Sequence, residues 1–236
     1  MADINGDRII EAARSTEILR PPRQTLSSFG ITNIYYYLVT EPAYAELVAE
    51  TDETVIREGR VVAERPRIVT PYYLSRLEGF SPDARRYFNT LLQTHGADTP
   101  GIFYTYKNEP GNLSIVSDKL EAVVARLNAD IDKRGDPLTS IIKAQDELWD
   151  VSLLRFIYEV TRNSLKTNIS QMGERKLLDV DSSGLPLEAR LRIEDLFRMA
   201  AKGGLEPSVL ERELNHWGVF EEYQDRFFAL FRGRKA

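Results

Sequence analysis

The rhythm of apolar and polar positions changes near residue 117. Before it, short segments switch between the two-residue period of strands and the 3.6-residue period of helices. Residues 7–19 set Ile9, Ile10, Ala13 and Ile18 near one side of a short helix, which Pro21-Pro22 ends. Ile31 to Val39, containing Tyr35-Tyr36-Tyr37-Leu38-Val39, is dense in β-branched and aromatic residues and predicts a strand. Residues 53–64 predict a hairpin turning at Glu58-Gly59, with Thr54, Ile56, Val61 and Ala63 on one face and Val55, Arg57, Arg60 and Val62 on the other. Pro66 makes Arg67-Ile68-Val69 an edge strand or a fresh start. Thr70-Pro71 and Ser81-Pro82 each set a capping hydroxyl before a proline at the first helical position. After the second, Ala84, Tyr87, Phe88, Leu91 and Leu92 recur at helical spacing, and Gly96 can supply a left-handed stop. Gly101 to Lys107 alternates again, and Pro110-Gly111 suits a type II turn before Leu113-Ser114-Ile115-Val116, which predicts a second hairpin.

Beyond residue 117 the pattern is helical. Ser117 is placed to cap a helix to Arg134, whose Leu120, Val123, Val124, Leu127 and Ile131 form one apolar stripe stopped by Gly135. Asp136-Pro137 predicts the start of a helix running to about Asn168, apolar on more than one side from Leu148 to Val160. Residues 171–185 read as a loop, and Pro186–Ala201, Pro207–Leu214 and Val219–Arg232 as three shorter helices. The expectation is an α+β fold: N-terminal strands and hairpins with short helices in residues 1–117, then an all-helical half in residues 118–236. The two portions would be one continuous domain or two closely packed subdomains.

Composition narrows function by exclusion. The 236 residues contain no cysteine and two histidines, His95 and His216, so thiol nucleophiles, iron–sulfur clusters, Cys-type zinc sites and disulfide frameworks are excluded. A chain of this length buries about 70% of its unfolded surface, enough for one or two cores without a metal or disulfide. The net charge is −5, spread evenly over the two halves, which argues against a dedicated nucleic-acid binder. No charged leader precedes an apolar core, and no apolar run reaches membrane-spanning length, so a cytoplasmic protein without membrane contact is expected. Arginine outnumbers lysine 23 to 8, and Lys107 is the only lysine in residues 1–117.

The motif search adds further exclusions. None of the 14 glycines falls in a nucleotide-binding arrangement and no nucleophile elbow occurs, so no cofactor is expected. Asp179-Val180-Asp181-Ser182-Ser183-Gly184 imitates the start of a calcium loop, but Pro186 and Arg190 stand at the eighth and twelfth positions, so no metal is expected. Glu213-Leu214-Asn215-His216 offers a carboxylate and an imidazole on one helix face, but a di-iron bundle needs a second such pair, and Leu92 precedes His95 where the glutamate should be. His95 with Asp98 could form an acid–base pair or simply end a helix. Asp146, Glu147 and Asp150 form one carboxylate cluster, and Glu46, Glu50, Asp52 and Glu53 another; either could supply hydrolytic acid and base or hold Mg²⁺.

The sharpest positive signal is four arginines, Arg57, Arg60, Arg65 and Arg67, in eleven residues. As a cross-strand pair beside the expected turn, Arg57 and Arg60 would repel unless an anion or Glu53, Glu58 or Glu64 compensates. These four are the candidate anion or partner site. Tyr35, Tyr36, Tyr37, Tyr72, Tyr73, Tyr104 and Tyr106 could form a base-stacking platform. Trp217, Phe220, Tyr223, Phe227, Phe228 and Phe231 crowd the last helices and could dock internally or join a protein partner or second copy. The expectation is a non-catalytic cytoplasmic binding or assembly protein, self-associating through its C-terminal aromatic helices or joining a protein partner there. Catalysis stays open: a hydrolase using the carboxylates or His95 with an arginine-lined anion site is the first alternative, and a single-stranded nucleic-acid module the second.

Overall fold

The computed structural model describes residues 4–46, 52–69, 92–94, 96, 101–182 and 184–231. In chain order these form α1 (Ile4–Ser15), β1 (Glu17–Arg20), β2 (Thr32–Thr40), a short 3-10 turn (Ala43–Glu46), β3 (Thr54–Ala63), β4 (Arg67–Val69), β5 (Gly101–Phe103) and β6 (Tyr106–Val116). There follow α2 (Leu120–Arg134), β7 (Thr139–Lys143), α3 (Trp149–Glu174), α4 (Leu187–Ala201), α5 (Pro207–Trp217) and α6 (Phe220–Phe231). The chain is α+β, as its pattern implies. It forms two compact units, Met1–Arg65 with Tyr104–Asn168, and Pro66–Phe103 with Ile169–Ala236. The expected boundary near residue 117 falls inside the first unit, because β6 and β7, on either side of it, join one sheet.

That sheet has the order β1-β7-β2-β3-β6. β2, β3 and β6 form an antiparallel meander, whereas β7 lies parallel to β2 and antiparallel to β1. Side chains alternate between its faces. One face, with Ile34, Tyr36, Leu38, Val61, Ala63 and Ile142, packs against Leu153, Phe156, Ile157 and Val160 of α3. The other, with Val39, Ile56 and Ile141, packs against Leu120, Val123 and Ile131 of α2. The first unit is therefore a helix–sheet–helix sandwich, and each fully buried Ile or Phe contributes about 1.5–3 kcal/mol.

Five expectations differ from the structure. Residues 54–63 are one uninterrupted strand, not a hairpin at Glu58-Gly59. Gly59 stands opposite Tyr36, and a Cβ on it would lie 2.6 Å from Tyr36 Cζ and 3.0 Å from the Glu109 carbonyl. The glycine admits a buried ring and turns no corner. Residues 106–116 are likewise one strand. Arg57 aligns with Leu113 and Gly59 with Pro110, so Gly111 and Asn112 together oppose Glu58 in a bulge. Proline is tolerated there because β6 is an edge strand.

Thr139–Lys143 is a buried strand where a helix was expected from Asp136 to about Asn168. The Asp136 carboxylate accepts from the Leu138 amide at 2.9 Å, a turn that leads into four β-branched or small residues between two strands. α3 starts at Trp149 and continues to Glu174, into the expected loop. Similarly, α1 ends at Ser15, the Thr16 hydroxyl donates to the Ala12 carbonyl at 2.7 Å, and Ile18 becomes part of β1.

Other features match the pattern. α2 buries Leu120, Val123 and Ile131 and ends at Gly135 with φ 68°, although Lys119, not Ser117, occupies its N-cap position. In the second unit, β4 pairs with β5, Ile68 opposite Ile102. Its core gathers Val69, Leu185, Ile193, Phe197, Leu210, Leu214, Trp217, Tyr223 and Phe227. Gly96 has φ 84°, while His95 and the helix expected after Ser81-Pro82 lie, apart from Leu92–Thr94, outside the described residues. Among the described residues, no helix is long and apolar enough to cross a membrane.

Candidate functional site

Arg57 and Arg60 lie on the same strand three residues apart, which turns them to opposite faces of the sheet. Arg57 reaches Asp146, in the loop after β7, with Nη1 2.6 Å from Oδ1. It also donates to Thr40 Oγ1 at 3.2 Å and lies 5.7 Å from the Trp149 ring centroid. Arg60 donates from Nε to Glu109 Oε2 at 2.6 Å across the β3–β6 ladder, and Lys107 holds the other oxygen at 2.8 Å. The acids that pair with Arg57 and Arg60 are thus Asp146 and Glu109, which come from outside the 53–64 segment. Because β3 contains no turn, Arg57 and Arg60 are not a cross-strand pair. Arg65 belongs to the first unit, and Arg67, on β4, to the second.

Arg60 opens onto a groove of about 640 Å³ on the α2 side of the sheet. Tyr35, Tyr37, Glu58 and Arg60 line it because Tyr35 opposes Arg60 and Tyr37 opposes Glu58. Glu109 on β6, and Arg134, Asp136 and Thr139 at the crossing from α2 to β7, complete it. Arg134 donates to Tyr37 Oη at 3.1 Å with its guanidinium 6.0 Å from that ring's centroid. Hydrogen bonds from Lys107 and then Arg60 hold the Glu109 carboxyl below its ordinary range. The Thr139 hydroxyl does the same for Asp136, donating at 2.5 Å. Both carboxyls are therefore ionised at neutral pH and the guanidiniums cationic. Charges already held in place by neighbours suit recognition more than proton transfer, which needs a group titrating near the working pH.

A second groove, also about 640 Å³, lies beyond the C-terminal ends of the parallel strands β2 and β7, between loop residues 41–43 and 144–147. Ligands commonly bind at such strand ends. Its charges pair internally: Arg8 with Glu147 at 2.5 Å, and Lys143 with Glu17 at 3.7 Å. Asp146 is held by Arg57 and accepts from the Thr40 hydroxyl at 2.8 Å. Asp146 and Glu147 precede the long helix and do not ride on it, and Asp150 accepts from the Val151 amide at 2.9 Å. Among the described residues, no group of His, Asp and Glu side chains is placed to hold a metal ion.

The remaining described candidates make contacts within the chain. Arg190 donates to Asp181 from Nε at 2.9 Å, so a guanidinium stands where the calcium-like loop would hold its ion. Glu213 accepts from Trp217 Nε1 at 3.1 Å and pairs with Arg192 at 2.9 Å, committing it to the second unit's core. The tyrosines do not share one platform. Tyr36 is buried and donates to Asn108 at 3.0 Å. Tyr104 and Tyr106 stack on each other at 6.2 Å and bond to Asn168 and Thr161 of α3; burial raises all three phenol pKa values. Tyr35 and Tyr37 project into the first groove, which Tyr36 also borders, and Tyr72 and Tyr73 lie outside the described residues. At the C-terminus, Trp217, Tyr223 and Phe227 are buried in their own unit, Phe220 is half-buried and Phe228 exposed.

No protein-family profile matches the chain. Neither a curated protein nor a solved structure matches it at a significant level. The functional reading therefore rests on the grooves themselves. Sequence reasoning missed Glu109, Arg134, Asp136 and Thr139 as groove residues because it put them in a turn and two helices. Only the strand pairing brings them beside Arg60.

Proposed function

We propose that this protein is a non-catalytic binding or assembly factor of the cytoplasm, and that the groove on the α2 side of its sheet receives a protein partner. The observation that carries this reading is the placing of two arginines and two tyrosines in one groove, each arginine already held by a neighbour. Tyrosine and arginine are the residues that dominate interface energetics, and side chains fixed before binding lose less entropy on association. The alternating signs of Arg60, Arg134, Glu58, Glu109 and Asp136 favour a partner segment carrying both charges over a polyanion.

Affinity capture from cells of the source tests this with wild-type bait and a Tyr35→Ala, Arg134→Ala bait. A partner retained in fixed stoichiometry by the first and lost from the second supports the groove. Equal recovery on both refutes it. A second reading, hydrolysis by clustered carboxylates, draws on the convergence of Asp146 and Arg57 beside the second groove. It requires turnover of an ester or phosphoester that Asp146→Asn abolishes while the fold is kept.

A further inference from the structure

Large apolar side chains left in water collect on one sector of the first unit. Leu154 is 66% exposed, Leu113 and Tyr158 59% and Ile115 56%; of the other described large apolar residues only Ile31, at 66%, is as open. Leu113 and Ile115 oppose Arg57 and Val55, which sets them on the α3 side of the sheet, the side where Arg57 meets Trp149. Leu154 and Tyr158 precede Thr161 by seven and three residues, so all three share one flank of α3. Thr161 bonds to Tyr106 of β6, which turns that flank toward the β6 edge. A patch of this kind beside an open strand is an interaction surface.

The opposite edge of the sheet is guarded differently. β1 has four residues and an irregular register. β6 has eleven, and only its first half is protected, by the bulge and by Pro110, which has no N–H to offer. Residues 113–116 remain a regular edge.

We infer that β6 pairs antiparallel with β6 of a second copy, centred on Ser114, to form a two-fold dimer with one continuous sheet. An axis perpendicular to the sheet keeps each face on its own side, so the pairing must be centred on a residue. Centring on Ser114 sets Leu113 of each copy against Ile115 of the other. Centring one residue earlier sets Ile115 against Gly111 in the bulge, and one residue later sets Leu113 against Ser117 beyond the strand, so the middle register is the one that joins the two exposed apolar side chains. Taking roughly 200 Å² for a fully exposed large side chain, the four apolar residues offer about 450 Å² per copy. The pair then covers about 900 Å² before any strand backbone is counted, against about 1,200 Å² at the lower end of specific interfaces.

The absence of cysteine makes a clean test. Sedimentation at tens of micromolar is expected to give twice the 27.0 kDa chain mass, and Leu113→Lys with Ile115→Lys, both at exposed positions, to give the single mass with an unchanged circular dichroism spectrum. Ser114→Cys is expected to cross-link into a dimer under a mild oxidant, because the two sulfurs meet at the axis. Asn112→Cys is expected to stay monomeric on the same gel, since its counterpart lies about 13 Å along the strand, beyond disulfide reach. Monomeric wild type, a dimer untouched by the lysine pair, or cross-linking of Asn112→Cys as fast as Ser114→Cys would each overturn the proposal. Leu113, Ser114 and Ile115 do not line the groove facing α2, and Asn112, the cross-linking control, is the one substituted position that does, so failure of the dimer would leave the partner reading standing.

Discussion

Replacing Gly59 with alanine separates a close-approach glycine from a turn glycine. In an ordinary strand interior alanine is favoured by about 0.5–1 kcal/mol, because glycine loses more backbone freedom on folding. Here the added methyl would stand 2.6 Å from Tyr36 Cζ, and Tyr36 is buried with its hydroxyl bonded to Asn108 at 3.0 Å. The ring must move, which costs about 1–3 kcal/mol in overpacking, and a strained or broken hydrogen bond adds about 1 kcal/mol. The expected net loss is about 2–3 kcal/mol against the entropic gain. With a urea m-value of about 2 kcal/mol/M, the midpoint falls by about 1–1.5 M. The same substitution in a Tyr36→Val background has no ring to displace and is expected to be neutral or slightly stabilising, a coupling of about 2 kcal/mol in the double-mutant cycle. A neutral Gly59→Ala in the wild type, or an equal loss in both backgrounds, would refute the argument.

Three further expectations follow from the same contacts. Asp146→Ala strips Arg57 of its carboxylate while most of both side chains is shielded; unfolding is expected to become easier by about 2 kcal/mol, with a smaller loss when Arg57→Met is combined with Asp146→Leu. Ile142→Ala, in the strand between β1 and β2 and fully buried, is expected to cost about 3 kcal/mol, measurable by chemical denaturation. Neighbouring cations or hydroxyls lower the folded pKa values of Glu109, Asp132, Asp136 and Glu194, chiefly through Lys107, Arg20, Thr139 and Arg226 respectively. The stability these groups confer is present above their unfolded values of 3.8 and 4.5 and is lost as pH falls through the depressed folded values. Melting temperature is therefore expected to fall below about pH 4 and not between pH 5 and 8; a steep loss across pH 5–8 would contradict it.

Local signals were legible where they needed no partner. The stripe of α2, the left-handed stop at Gly135 and the aromatic density of β2 could all be read from residues a few positions apart. The errors share one cause. Glu58-Gly59 and Pro110-Gly111 carry turn chemistry, yet glycine serves a turn and a close approach equally, and proline an edge strand as well as a turn. Choosing between these roles requires Tyr36 above Gly59 and the open edge beside Pro110, neither of which is local. Asp136-Pro137 opens a helix or a strand with the same residues, and β7 became a strand because β1 and β2 offered ladders on both its sides.

The candidate site was legible only in part. Arg60 stood out by charge density, but its partner Glu109 is 49 residues away, and Arg134 with Asp136 enters through the crossing from α2 to β7. The counterpart of Arg57 is likewise a carboxylate from a distant loop.

By itself, then, the order of residues determined composition-level exclusions, the α+β class and those elements whose period or stop is written within one or two turns. The tertiary structure decided strand register, the faces to which the arginines turn, and which acids neutralise them. Backbone hydrogen bonding between strands is indifferent to side-chain identity, so one sequence admits several pairings. Register is selected when burial of one face is satisfied for all strands together, a condition that involves residues throughout the chain.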